Sequence, residues 1–176
     1  MDLEKVRTGT YQNMEKSIKI NLGCGYDYRN GYINVDNQKM FPDAKVDVIS
    51  DIKEFDVEDG TVKEILLSHV VMYFRPEELH PLLLKLHGWL KEGGRLVIET
   101  IDLKKVMQTA LNESNPITVH NYGLVNIFGT EQTGPHKWGW MPDRLAIALY
   151  KAGFNLLQHR TGVKKPNRDY QITAIK

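Results

Sequence analysis

Short apolar runs rich in β-branched residues recur along this chain, and helical patterns separate them; that alternation constrains the fold more than any other feature. It predicts an α/β domain whose largely parallel sheet is covered on both faces. The expected strands are Ser17 to Leu22, Tyr32 to Asp36, Val46 to Ser50, Val62 to Ser68, Arg95 to Ile101, Phe154 to His159 and Tyr170 to Ile175. Between the fourth and fifth, Pro76 to Leu90 places Leu79, Leu82, Leu83, Leu86 and Leu90 on one helical face, with Pro81 expected to bend it. Gly93-Gly94 then stands where a left-handed helix cap is usual. A second helix is expected over Pro142 to Ala152, ending at Gly153.

Length and charge narrow the function. At 176 residues one domain is expected over 1–176, since domains run to roughly 100–200 residues. Twenty-three Lys and Arg against 22 Asp and Glu create no global field for nucleic acid or an anionic membrane, so neither partner is expected. The basic run Lys164 to Arg168 reads as a solvated loop before the last strand. A lone cysteine, Cys24, leaves no internal disulfide and no multi-cysteine zinc site, and no metal is expected. With no signal-like or membrane-spanning apolar stretch, the expected compartment is the cytoplasm.

Leu22-Gly23-Cys24-Gly25 ends the first strand, and its glycines let the backbone turn sharply and pass close to a ligand. Asp36 ends the second, where a carboxylate can accept from both hydroxyls of a ribose. It follows Gly25 by only eleven positions, whereas the dinucleotide fingerprint places its acid about 20 residues on, after a full helix. The first crossover is therefore expected to be a turn. The same short gap, with no Tyr-x-x-x-Lys pair, counts against a nicotinamide-dependent oxidoreductase.

These residues, with Asp47 to Ile52, Ser68-His69-Val70, Leu90 to Thr100 and Ala152-Gly153-Phe154, resemble a class I S-adenosylmethionine (SAM)-dependent methyltransferase of the compact, methyltransferase type 11-like branch. The resemblance covers most of the chain from Ile18 onward. It implies a Rossmann-like sheet of seven strands in the order 3-2-1-4-5-7-6, the last antiparallel. It implies SAM as cofactor, with the backbone of Gly23, Cys24 and Gly25 beside its amino-acid half and Asp36 on its ribose. Asp51 and Ile52 would bracket the adenine, and Ser68 would lie near the methyl donor. Locally, Asp51 also suits a helix cap, and Cys24 suits a small filler between glycines.

Residues 103–141 lack a sustained period and carry two prolines, four glycines and two tryptophans, which predicts a cap or binding loop over an acceptor site, with a short helix over Leu103 to Leu111. There His136 is the candidate general base, while Trp138 and Trp140 are candidate walls for a small-molecule acceptor or anchors to the core. His69 is expected to be a substrate-binding wall residue, because relatives continue from this position with a leucine, an acid and a second histidine where this chain has Val71-Met72-Tyr73. The activity implied is methyl transfer to a small hydroxylated compound, with a sugar or glycan unit as the expected class. A SAM-binding module without turnover is the alternative.

Overall fold

A computed structural model describes residues 18–112 and 114–176. Its main sheet has seven strands: β1 (Ile18–Leu22), β2 (Ile33–Asp36), β3 (Val48–Ile49), β4 (Val62–Ser68), β5 (Leu90–Ile101), β8 (Asn155–Thr161) and β9 (Asp169–Ile175). A small hairpin, β6 (Gly129–Thr130) with β7 (Gly134–Pro135), stands apart. The order β3-β2-β1-β4-β5-β9-β8 is the one expected. Every pairing is parallel except those of β9, which runs antiparallel to both β5 and β8. Ser17, the first residue of the expected first strand, lies outside the described residues, and the third strand is shorter than expected.

Helix α1 (Pro76–Trp89) buries Leu79, Leu82, Leu83, Leu86 and Trp89 and continues through Pro81. Each such leucine contributes about 1.5–3 kcal/mol by leaving water. Pro76 starts the helix without losing an intrahelical bond, and Glu78 reaches back to the Arg75 amide at 3.1 Å. Its end differs from the expectation. Leu90 already belongs to β5, and Gly93 (φ +69°) with Gly94 lies inside that strand, where the register against β4 shifts between Val62 and Glu64. The glycine pair therefore makes a strand irregularity rather than a helix cap.

The first crossover, residues 23–32, holds turns and no helix. Side-chain amides close it instead. Buried Asn34 accepts from the Arg29 amide (2.8 Å) and from Asn21 Nδ2 (3.0 Å), and it donates to Asp47 Oδ2 (2.9 Å). Asn21 Nδ2 also reaches the Asp27 carbonyl at 2.8 Å.

After β5 the chain forms α2 (Leu103–Asn112) and then an irregular helical run, α3, which is α-helical over Pro116–Thr118, π-helical over Val119–Leu124 and α-helical again over Val125–Phe128. Asp102 caps α2 through the Lys104 amide at 3.0 Å. Helix α4 (Pro142–Lys151) follows the β6–β7 hairpin and buries Leu145 and Leu149. Among the described residues no helix is long and apolar enough to cross a membrane.

Candidate active site

The carboxyl ends of β1, β2 and β4 meet at the glycine turn. Gly23 (φ +66°) and Gly25 (φ +48°) both adopt left-handed conformations, which cost a side-chain-bearing residue about 1–2 kcal/mol. A Cβ on Gly23 would stand 2.7 Å from Val70 Cγ2, and one on Gly25 would stand 3.0 Å from the Phe41 ring. The turn therefore packs directly on the segment that follows β4.

Asp36 is buried, and each of its oxygens holds one backbone amide: Oδ2 takes Gly25 N (2.9 Å) and Oδ1 takes Gln38 N (2.7 Å). A carboxylate has about four acceptor positions, so one remains on each oxygen. Two vicinal hydroxyls match that remainder. At the end of β4 the Ser68 hydroxyl is buried and has no partner among the described residues, an orphaned donor beside the same edge. Asp51 caps its own turn through the Lys53 amide (3.0 Å), and Ile52 packs against the core near Gly23. The Cys24 thiol is pushed up to about 11 by burial and then by the Asp36 charge, so it stays protonated and serves as a filler. These residues suit a nucleoside whose hydroxyls reach Asp36.

Beside this edge opens a cleft of about 690 Å³. It lies between the ends of β4 and β5, helix α2, the α3 run, the β6–β7 hairpin and the β8–β9 connection, and His69 and His136 both line it. The 136–140 segment is brought there by straps to the turn after β4. Lys137 N and Trp138 N donate to the Met72 carbonyl at 2.9 and 3.1 Å, and Trp140 Nε1 donates to the Val71 carbonyl at 3.0 Å. His136 Nδ1 lies 3.1 Å from the Asn126 carbonyl, and its ring sits edge-on to Tyr73. That contact places the proton on Nδ1 and leaves Nε2 as an acceptor. Burial, the largest influence, lowers the His136 pKa below its ordinary value and keeps the imidazole neutral.

His69 is held in a left-handed conformation at φ +56°. Its amide donates to the Glu99 carbonyl (2.8 Å), and its Nε2 lies 3.1 Å from Oδ2 of Asp169. Asp169 is wholly buried; the Arg168 guanidinium binds both its oxygens and also donates to Asn126 Oδ1 at 2.9 Å. Burial works to raise the Asp169 pKa, but the bonds from His69 and Arg168 together outweigh it and hold the carboxyl below its ordinary value. Oxygen and nitrogen atoms of His69, Glu99 and Asp169 lie within 4.8 Å of one another, a spacing that metal ligands share. Here Arg168 already supplies the cation to Asp169, and Glu99 receives the Lys164 amide (2.8 Å) and Gln171 Nε2 (3.2 Å).

The structure thus brings Gly23, Cys24, Gly25, Asp36, Asp51, Ile52 and Ser68 to one edge, and His69 and His136 to the adjoining cleft. It does not bring the tryptophans there. Trp140 is a core side chain, and the half-exposed Trp138 does not line the cleft. Asp169 and Arg168 were not among the candidates, because nothing local marks an ion pair whose third member, His69, lies far back in the chain. The solvated loop expected over Lys164 to Arg168 is present, with Lys164 to Asn167 exposed, and residues 165–168 also form one wall of the cleft.

No protein-family model matches the chain, and no curated protein matches it by sequence. Solved structures do match. A SAM-dependent methyltransferase from Archaeoglobus fulgidus superposes with a TM-score of 0.60 at 20% identity, covering 99% of this chain and 93% of that one. One from Mesorhizobium loti gives 0.61 at 13%, covering 96% of each chain. One from Methanosarcina mazei gives 0.60 at 13%, covering 96% and 97%. The chain has the fold of the SAM-dependent methyltransferases.

Proposed function

We propose that this protein is a SAM-dependent methyltransferase acting on a small hydroxylated molecule held in the cleft beside the glycine turn. The observation that carries the reading is the junction itself. A glycine turn bonded to the buried Asp36 carboxylate packs on Val70, and the preceding residue, His69, lines a cleft that also holds a neutral His136. In this reading Gly23, Cys24 and Gly25 pass the amino-acid half of SAM, Asp36 takes the ribose, Asp51 and Ile52 bracket the adenine, and Ser68 faces the donor end. SAM supplies a methyl group already activated by its sulfonium, so the chain's work is positioning, exclusion of water and removal of one proton. His136 Nε2 accepts that proton from the acceptor hydroxyl as oxygen takes the methyl group. His69, its Nε2 committed to Asp169, orients the acceptor through Nδ1. Trp138 and Trp140 stand outside the cleft, so the rings available to a sugar or glycan acceptor, the class expected from that segment and the resemblance, are those of Tyr73, His69 and His136.

The test is calorimetry with SAM and with NAD, followed by transfer of labelled methyl from SAM across a panel of hydroxylated acceptors. SAM binding without NAD binding, and label in an acceptor, is the expected result. SAM binding with no transfer to any acceptor would favour a binding module, and NAD binding alone would favour an oxidoreductase.

A further inference from the structure

The walls of the cleft are not charged like the rest of the chain. Overall, basic and acidic residues balance at 23 to 22, yet among the described residues the cleft is lined by Lys105, Lys165 and Arg168 and by no Asp or Glu. The cations come from two separate elements, α2 and the β8–β9 connection. Lys105 is folded onto that connection, its Nζ 3.5 Å from the Pro166 carbonyl and 3.4 Å from that of Asp169. The nearby acids stand behind the wall: Asp169 is wholly buried under Arg168, and Asp102, 4.0 Å from Lys105, is also buried. Lys165 is exposed and has no ion-pair partner among the described residues. Met72, Ile101, Val106 and Val125 supply the apolar part of the wall.

Resting on the methyltransferase reading of the same cleft, we propose that its acceptor is an acid: a molecule with an apolar body and a carboxylate or phosphate that Lys105, Lys165 and Arg168 receive. Lys165 carries the uncompensated charge, while Arg168 and Lys105, each paired with a buried carboxylate, add further N–H donors to the same half-enclosed cavity, so this wall attracts an anion and can bind it. The anionic group fixes one end of the acceptor. Its hydroxyl is thereby set toward His69 and His136, which makes the basic end a specificity device for the reaction.

The test uses three probes that share one ring and differ in the head group: benzoate, phenyl phosphate and benzyl alcohol, titrated into the 15N-labelled full chain at fixed ionic strength without cofactor. At least one anion is expected to bind about tenfold or more tightly than the alcohol, from attraction at the low end of the partly buried range. It should shift the amides of residues 105, 165, 167 and 168. The favoured head group identifies carboxylate or phosphate as the natural one. In Lys165→Glu, a reversal at an exposed side chain that the fold does not use, the preference should fall several-fold. Equal binding of all three probes, a preference that survives Lys165→Glu, or no shift at those amides with either anion would overturn the proposal. S-adenosylhomocysteine, titrated separately, reads the parent hypothesis: its failure to bind removes the methyltransferase reading whatever the anions do.

Discussion

Replacing Asp169 by Asn should loosen the wall that carries both His69 and the basic end of the cleft. The carboxylate is wholly buried and receives His69 Nε2 at 3.1 Å, Arg168 Nη2 at 2.9 Å and Arg168 Nε. Removing one member of a buried ion pair costs about 3–5 kcal/mol. Here Arg168 keeps 20% of its side chain in solvent, and the amide retains one accepting oxygen, so the expected loss is about 2–3 kcal/mol at pH 7. At roughly 2–4 °C per kcal/mol for a chain of this size, the melting temperature should fall by about 4–12 °C. Urea unfolding followed by circular dichroism measures it directly. The pH dependence has a definite sign. The Asp169 pKa is lowered in the folded protein, so its contribution is complete above the unfolded value near 3.8 and is lost as pH falls through the folded value. Parent and variant should therefore converge in acid. A loss below about 0.5 kcal/mol, within the range of ordinary surface substitutions, or a difference as large at pH 3 as at pH 7, would refute the assignment of Asp169 as the keystone.

Asp36→Ala should weaken SAM binding by about 1.5–3 kcal/mol, the range for bonds to a charged group, and calorimetry that finds parental affinity in a folded variant would remove Asp36 from the ribose role. Gly23→Val and Gly25→Val should each abolish SAM binding while the far-ultraviolet spectrum stays close to the parent's, because the new side chain meets Val70 or Phe41 at a positive φ; binding retained in both would mean that the turn faces away from the ligand. His136→Ala should lower kcat by about 10²–10⁴-fold, as for loss of a general base, whereas His69→Ala should act mainly on KM; a reversed pattern would exchange their roles. Because burial lowers the His136 pKa, the midpoint of the acid limb of the parent's activity should lie below the ordinary imidazole value of 6.5, and a midpoint above it would contradict a neutral, buried base.

The apolar strand runs and the eleven-residue gap from Gly25 to Asp36 made the sheet and its helix-free first crossover legible, because burial on two faces and a missing helix both leave marks in local sequence. The family resemblance supplied the strand order and the antiparallel seventh strand, which no local pattern encodes. Gly93-Gly94 misled for a physical reason: a glycine pair after an amphipathic run is equally suited to a helix cap and to a strand irregularity, and only the pairing of Leu90 with Val62 decides between them. Trp140 was ambiguous because an aromatic in an aperiodic segment carries no face; its bond to the Val71 carbonyl makes it an anchor. Arg168 and Asp169 were illegible in the same way as the basic cleft wall. Their partners lie just after β4, on α2 and in the α3 run, so their function exists only after the fold has brought these distant segments together.

The central claim is that SAM lies along the glycine turn with its methyl group directed into the cleft of His69 and His136. The most direct measurement is a crystal structure of the protein with S-adenosylhomocysteine. The account predicts ribose hydroxyls on Asp36, adenine beside Ile52 and the sulfur at the mouth of the cleft next to Ser68 and His69. A ligand seated elsewhere, or one whose sulfur points away from the cleft, would contradict it.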